Sequence, residues 1–347
     1  MAQVAAVARP GLQFRIPRFI VSLAIVLGLA LLANWLSRVS PRALEYPLWA
    51  AALGLMANLT LGATGVRNRV GQAFRTELFL KTGLVLMGAS VNFGEILSIG
   101  ARGVVQAVLG VSCVFLFTWY VARAFGIDEK LRAVMCASVA ICGVSAAIAA
   151  AGAVLAKKEH LAYVTALVIA FALPLMVLQP YLAMALGLSA DVAGAWIGGN
   201  IDTTAAVVGA GAIHSERAMK VASIVKLSQN ALIGVVAFLL ALYWVVFVER
   251  NPNERPRVRE IWDRFPKFIL GFVAVSIIVT LGLLTSSQVK ALTNLRSWFL
   301  TLAFVCIGLE LAFGEFRKAS WRPIGVYLVA TVFNTVFALG AAWILFG

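Results

Sequence analysis

The sequence predicts an all-α polytopic membrane protein, and two observations support this fold class. Of the 347 residues, 62% are hydrophobic and only 13% are charged, whereas a soluble domain carries roughly twice that share of charge. Apolar runs of about 18 to 25 residues, long enough to cross a hydrocarbon core of about 30 Å as a helix, recur along the whole chain. We therefore expect one transmembrane domain over residues 18–347, preceded by a cytoplasmic tail over residues 1–17.

Apolar runs that are long enough for a transmembrane helix divide this domain into eleven segments. They cover residues 18–37, 46–64, 77–97, 103–125, 131–156, 161–186, 191–213, 218–248, 266–286, 297–314 and 322–346. Two of them, 131–156 and 191–213, are rich in glycine, alanine and polar residues, and each either spans the membrane or turns back inside it. The sequence therefore predicts about 9 to 11 transmembrane helices.

Basic residues predict the orientation of the chain. The net charge is +14, which in a soluble protein would suggest binding to nucleic acid, but here the charge gathers in short loops beside apolar runs, as the positive-inside rule expects. We expect no nucleic-acid partner, and a cytoplasmic N-terminus. The basic loops then share the cytoplasmic side, and residues 249–265 form a cytoplasmic basic linker. These loops contain Arg67, Arg69, Arg75, Arg123, Lys130, Arg132, Arg250, Arg255, Arg257, Arg259, Arg264, Lys267, Arg317, Lys318 and Arg322.

Two internal similarities predict inverted repeats. Leu86–Ile96 matches Cys306–Phe316 at two glycines, a phenylalanine and a glutamate, and an odd number of crossings separates the copies. The stretch that begins at Cys142 matches the stretch that begins at Gly199 more weakly, amid much alanine. Inverted repeats with broken helices are typical of secondary transporters, whose substrate sites lie near the bilayer midplane.

The stretch AWIGGNIDTTAAVVGAGAIH, Ala195–His214, contains a carboxylate in an otherwise apolar segment. An aspartate at membrane depth costs about 2.5 to 3.5 kcal/mol on the insertion scale, which roughly cancels the contribution of the aliphatic residues from Val192 to Ala212. The segment is therefore a poor lipid-facing helix. We expect it to lie inside the protein, with Asp202 binding a coupling ion, either a proton or sodium.

Glycines and hydroxyls mark a substrate site. Gly198 and Gly199 are expected to break one segment, and ICGVSAA, Ile141–Ala147, has the same glycine-centred character. Two helix N-termini at these breaks would direct backbone N–H groups at a bound anion. The predicted binding residues of the two segments are Gly143, Ser145, Gly199, Asn200, Thr203 and Thr204.

The next segment supplies a partner for Asp202. Lys226, Gln229 and Asn230 lie at helical spacing on one side of VASIVKLSQNALIG. Two interpretations stay open: an Asp202–Lys226 pair that only stabilises buried charges, or Lys226 as the counter-charge of an anionic substrate beside Gln229 and Asn230. Glu310 is either a third intramembrane carboxylate, with an ion-coupling role, or a residue that faces water.

Five motifs in this order resemble the YeiH-type family of bacterial inner-membrane proteins, whose family label is sulfate exporter. They are SVAICGVSAAIAAAGAV, AGAWIGGNIDTTAAVVGAG, VASIVKLSQNALIGVVAF, RFPKFILGF and FVCIGLEL. The resemblance covers the chain from about residue 46 onward, and none of its motifs specifies a substrate. It implies similarity to the cation:proton antiporter, bile-acid symporter and 2-hydroxycarboxylate transporter folds, with crossed broken helices and homodimers. In a His-bearing branch of that family the corresponding motif is Ile-His-Asp-Thr-Ala, whereas this chain has Ile201, Asp202, Thr203 and Thr204.

The leading functional hypothesis is a secondary transporter of a small anion, of the sulfate or organosulfonate class, coupled to H⁺ or Na⁺. The alternative is a monovalent cation:proton antiporter without an anionic substrate. We expect no enzyme activity, because Cys142 and Ser145 have no histidine that could activate them. No cofactor and no metal site are expected, since the chain has no nucleotide-binding motif and no metal-ligand spacing. The expected location is the bacterial inner membrane.

Overall fold

The computed structural model describes residues 16–39, 46–63, 75–91, 93–248, 267–310 and 320–347, and these segments are mainly helical. The predicted linker over 249–265 and residues 1–15 of the predicted tail lie outside them, while α1 already begins at Ile16. In chain order the helices are α1 (Ile16–Val39), α2 (Tyr46–Ala63), α3 (Thr76–Met87), α4 (Phe93–Ala124), α5 (Glu129–Ala137), α6 (Gly143–Ala153), α7 (Lys158–Ala185), α8 (Ala190–Asn200), α9 (Thr204–His214), α10 (Glu216–Val248), α11 (Phe268–Thr280), α12 (Ser286–Glu310) and α13 (Trp321–Phe346).

The boundary between α3 and α4 differs from the prediction. The helix predicted over 77–97 ends earlier, in a 3₁₀ turn at Gly88–Ser90, and α4 begins ten residues before the predicted start at residue 103. Residues 93–97 of α4 fall within the segment predicted over 77–97, and residues 98–102, which include Arg102, lie between the two predicted segments. Phe93 N–H is bonded to Thr280 Oγ1 at 2.9 Å, so the start of α4 lies beside the end of α11.

Residues 129–153 form a re-entrant hairpin rather than a crossing helix, and we call this pair of helices, α5 and α6, hairpin 1. Lys130 Nζ donates to Leu155 O at 3.3 Å, and His160 Nδ1 lies 3.9 Å from Asp128 Oδ1. The beginning and end of the hairpin therefore lie at the same membrane face. Although the segment is long and apolar enough to span, it turns back at a π-helical turn, Ser138–Cys142.

Helices α8 and α9 form a second re-entrant hairpin, hairpin 2. Arg217, just beyond its end, donates to Asp191 Oδ1 at its beginning at 2.5 Å, so both ends share one face. The same arginine donates to Glu95 Oε1 in the first turn of α4 at 2.6 Å, whereas hairpin 1 follows the last turn of α4. Because α4 crosses the membrane between them, the two hairpins enter from opposite faces.

Outside the hairpins, six helices of the described ranges are long and apolar enough to cross a membrane, namely α1, α4, α7, α10, α12 and α13, and the shorter helices α2, α3 and α11 pack among them. We call the face at which hairpin 1 begins the basic face, because Arg123, Lys130 and Lys157 all lie there. Tyr163 in α7 donates to Ser320 O at 3.1 Å, which places the start of α13 at the same face. The two segments whose topology the sequence left open thus both turn back.

The hairpins account for the weaker internal similarity. Aligned from Cys142 and Gly199, residues 147–153 of α6 match residues 204–210 of α9, and the start of α7 falls beside the start of α10. Since hairpin 1 enters from the basic face and hairpin 2 from the other, the two units are inverted. The stronger similarity lies partly outside the described residues, because Asn92 and residues 311–316 are not among them.

Candidate functional site at the meeting of the hairpin tips

The two hairpin tips contact each other inside the protein. Cys142 Sγ at the end of the π-helical turn lies 3.3 Å from Thr204 Oγ1 in the first turn of α9. Gly143 has φ +48°, a left-handed conformation, and a Cβ there would lie 3.2 Å from Asp202 O. The positive φ therefore favours a glycine at this break, and a Cβ would press on Val168 of α7 and, less closely, on hairpin 2.

The break in hairpin 2 lies after its glycines, which corrects the prediction. Gly198 and Gly199 are helical, and the chain leaves the helix at Ile201–Thr203. A Cβ at Gly198 would meet Ala222 O of α10 at 2.6 Å. Gly198 therefore allows α8 to pack closely on α10, whereas a Cβ at Gly199 would meet Gln106 of α4. The break itself begins at Ile201, whose backbone is extended.

Lys226 joins the two tips. Its Nζ donates to Ile141 O at 2.5 Å, to Ile201 O at 2.8 Å and to Gln229 Oε1 at 2.8 Å. The side chain is 1% exposed, and its three bonds use the three ammonium hydrogens. The two backbone carbonyls lie at the C-terminal end of the first helix of each hairpin, Ile141 in the turn after α5 and Ile201 at the end of α8. Helix dipoles favour a positive charge at such ends.

The other two residues of the predicted polar stripe on α10 also contact the tips. Gln229 Nε2 donates to Ala140 O at 2.9 Å and approaches Gly199 O at 3.5 Å. Asn230 Nδ2 donates to Thr204 Oγ1 at 3.1 Å. The helical spacing of Lys226, Gln229 and Asn230 therefore brings all three side chains against the two breaks.

Asp202 is buried beside a tyrosine that the sequence analysis did not identify. The Asp202 side chain is 3% exposed, and its Oδ2 accepts a hydrogen bond from Tyr327 Oη in α13 at 2.6 Å. The Tyr327 hydroxyl also lies 3.3 Å from Ser138 Oγ in the tip of hairpin 1. Among the described residues, no ion pair within 4.0 Å joins Asp202 to Lys226. The Lys226 ammonium therefore binds carbonyls rather than the Asp202 carboxylate directly, although the two charges are near enough to interact electrostatically.

Asn200 takes part in a separate polar network. Its Nδ2 donates to Gln179 Oε1 at 2.8 Å, and Thr335 Oγ1 donates to its Oδ1 at 3.2 Å. Asn334 Nδ2 donates to the Asn200 carbonyl at 3.1 Å. Helical spacing of Thr331, Asn334 and Thr335 in α13 is the signal that could have revealed this network from the sequence.

A cavity of about 820 Å³ lies beside the tips. Its inner end includes Cys142 and polar residues of both hairpins and α10, and its outer end reaches Thr76, Glu77, Lys81, Lys267 and Glu310 near the basic face. Five of the predicted site residues line it: Ser145, Thr203, Thr204, Asn230 and Glu310. The other six are not among its lining residues: Gly143, Gly199, Asn200, Asp202, Lys226 and Gln229.

The N-terminus of α9 faces the inner end of this cavity. Thr203 is its N-cap and accepts the N–H of Ala206 at 3.2 Å, while residues Thr203 to Ala206 line the cavity wall. The first N–H groups of a helix have no acceptor within the helix, and its dipole favours an anion there. Ser145 lies across from this end without a hydrogen-bond partner among the described residues. Together these groups offer several donors to one ligand.

Glu310 lies at the outer end of the cavity rather than at the tips. It shares this end with Lys267 and with Lys81, whose Nζ is bound to Glu77 Oε2 at 2.6 Å. Acidic and basic side chains therefore both surround the opening of the cavity. Glu310 is thus separated from Asp202 along the length of the cavity, and the two carboxylates do not form one site.

Comparison with known proteins identifies the family. The family model described as conserved hypothetical protein 698 matches residues 21–327. A UPF0324 membrane protein of Rhodopirellula baltica is 40% identical over 94% of this chain and 63% of its own length, and one of Nitratidesulfovibrio vulgaris is 36% identical over 95% and 60%. The chain thus spans about three fifths of the length of these two relatives.

A further relative is matched over most of both chains: the UPF0324 membrane protein TauZ of Paracoccus pantotrophus is 30% identical over 84% of this chain and 85% of its own length. No solved structure matches the chain. The family match agrees with the motifs that flank the two hairpin tips, and it is the family expected from them. This chain belongs to the UPF0324 family of multi-pass membrane proteins, the YeiH-type family.

Proposed function

We propose that this chain is a secondary transporter of a small organic anion, with a sulfonate as the most suitable head group. The observation that carries the proposal is the cavity whose inner end combines the N-terminus of α9 with the hydroxyls of Ser145, Thr203 and Thr204. A helix N-terminus and neutral hydroxyls bind an anion without a fixed positive charge, which eases its release. Re-entrant tips that meet within a membrane domain are the usual location of a transporter substrate site.

One acceptor at this site favours an organic anion over sulfate. Asn230 Oδ1 is buried without a hydrogen-bond partner and belongs to a residue that lines the cavity. A ligand hydroxyl or ammonium group would satisfy this oxygen, whereas a fully ionised sulfate has no hydrogen to donate. The cavity volume of about 820 Å³ also exceeds what sulfate alone requires.

Asp202 is the proposed coupling residue, with a proton or sodium as the coupled ion. A carboxylate kept inside a membrane domain marks an ion pathway by default, and Asp202 follows Ile201 at the break that adjoins the cavity. The positive-inside rule places the basic face in the cytoplasm of a bacterial inner membrane. The cavity would then open to the cytoplasm in this conformation.

The test is ligand binding to purified protein by thermal shift, since a ligand that binds the folded state raises its melting temperature. Ethanesulfonate and 2-hydroxyethanesulfonate form a matched pair that differs by one hydroxyl, and sulfate is the third probe. We expect the order hydroxyethanesulfonate, ethanesulfonate, sulfate. Ser145→Ala should weaken binding about 10-fold through loss of one charge-assisted hydrogen bond.

Ser287→Ala, in the exposed first turn of α12, is the matched control and should bind as wild type does. A protein that none of these anions stabilises, but that exchanges Na⁺ for H⁺ in liposomes, would instead be a cation:proton antiporter. If the two sulfonates raised the melting temperature equally, Asn230 Oδ1 would not accept a hydrogen bond from the ligand hydroxyl.

A further inference from the structure

The environment of the Lys226 ammonium resembles a bound monovalent cation. Three oxygen atoms surround its Nζ, two of them backbone carbonyls at the ends of interrupted helices, at 2.5 to 2.8 Å. Secondary transporters coordinate Na⁺ with this type of ligand, namely unwound backbone carbonyls and the C-terminal ends of half-helices. In this chain the Lys226 ammonium, which is covalently part of the protein, occupies a site of this type.

We propose that Lys226 is a built-in cation, which occupies the position where a free Na⁺ would otherwise hold the two hairpin tips together. The oxygens of Ile141 and Ile201 come from different hairpins, so one cation at this point links both. Transport then needs no Na⁺ for this link. This last consequence rests on the proposed transport function, whereas the cation site itself does not.

The same geometry argues against Lys226 as a direct ligand of the substrate. Its three ammonium hydrogens are used within the protein, and the residue is not among those that line the cavity. To reach an anion it would have to leave at least one carbonyl unsatisfied in a buried site, at a large energetic cost. Its charge therefore serves the protein's own carbonyls.

The experiment is rescue of a cavity-forming variant by added cations. Lys226→Ala empties the site, and its melting temperature should fall by at least about 5 °C, because buried carbonyls lose their cation. NaCl, LiCl or methylammonium chloride should restore a large part of this loss with a saturable dose response. Choline chloride at equal concentration controls for ionic strength and for chloride, since choline is too large for the site.

Lys220→Ala, six residues earlier on the same helix, is the matched variant. Its Nζ lies 3.9 Å from Glu216 near the helix end, so its loss should have little effect and no cation should correct it. Identical melting curves of Lys226→Ala in sodium and choline would overturn the proposal.

The Asp202→Asn variant, which keeps Lys226, gives an independent test if Lys226→Ala fails to fold, because it lacks the carboxylate at which sodium could bind as the coupled ion. Its melting temperature should be the same in sodium and choline chloride, because the Lys226 ammonium already fills the site. A saturable, Na⁺-specific stabilisation of Asp202→Asn would contradict the proposal. Neither measurement uses the transported anion, so absence of sulfonate binding would count against the proposed function and leave the cation site unaffected.

Discussion

The two hairpins share an architecture but differ in the chemistry of their tips. Hairpin 1 turns through Ser138–Cys142, a π-helical turn with one hydroxyl, and then through Gly143. Hairpin 2 turns through Ile201–Thr203, which contains a carboxylate and a hydroxyl, and α10 binds carbonyls of both tips. Hairpin 1 therefore forms its tip without a charged residue, whereas hairpin 2 has a carboxylate there. This difference supports the proposal that Asp202 serves ion coupling rather than the fold.

Replacing Asp202 by asparagine tests this conclusion and should have the largest effect. The amide oxygen can still accept the Tyr327 hydrogen bond, so the fold should persist, but the group can no longer bind a proton or act as an anionic ion ligand. We expect coupled flux in proteoliposomes to fall to the level of empty liposomes, with a melting temperature close to that of wild type.

Asp191→Asn is the control within the same hairpin, because Asp191 is bound to Arg217 at the membrane face. It should retain most of the flux, since exposed ion pairs contribute little. Wild-type flux in Asp202→Asn would remove Asp202 from the coupling mechanism and leave the difference between the tips unexplained.

Tyr327→Phe addresses the contact through which α13 joins both tips, and we expect an intermediate effect. The hydroxyl binds Asp202 Oδ2 and lies beside Ser138 of hairpin 1. Loss of a hydrogen bond to a carboxylate costs about 1.5 to 3 kcal/mol, so flux should fall about 10-fold or more through disturbed positioning of Asp202. Tyr163→Phe, which loses a bond to Ser320 O near the basic face, should transport normally.

Gly143→Ala should have the smallest effect on transport and act mainly on stability. The alanine would adopt φ +48° with its Cβ 2.5 Å from Val168 Cγ1, which we expect to cost about 1 to 3 kcal/mol. Gly340→Ala in α13 has open space around its Cβ and is the control. A melting temperature no lower than that of Gly340→Ala would show that hairpin 1 tolerates a side chain at its break.

Composition and periodicity were sufficient to predict the helical membrane fold and its eleven segments. The spacing of Lys226, Gln229 and Asn230 also correctly indicated a polar stripe that contacts both breaks. Whether the two weak segments span or turn back was not predictable. A deciding contact, that of Lys130 Nζ with Leu155 O, joins a lysine that looks like an ordinary loop charge to a backbone carbonyl.

Other features depended on packing that a single sequence does not show. Gly198 and Gly199 were expected to break a helix, but glycines also allow close helix contacts, and the pattern does not separate the two uses. Tyr327 was missed because a tyrosine in an apolar helix is usually part of the core. The carbonyls that bind Lys226 are backbone atoms, which have no sequence signature at all.

The position of the cavity determines how the membrane potential acts on the protein. With the basic face in the cytoplasm, as proposed above, the cavity that extends from this face to the hairpin tips would carry the cytoplasmic potential deep into the domain. The voltage would then fall mainly across the opposite half, where α8, α9 and the first turns of α10 lie. Moving one elementary charge across that half would change its energy by about 2.3 kcal/mol for each 100 mV.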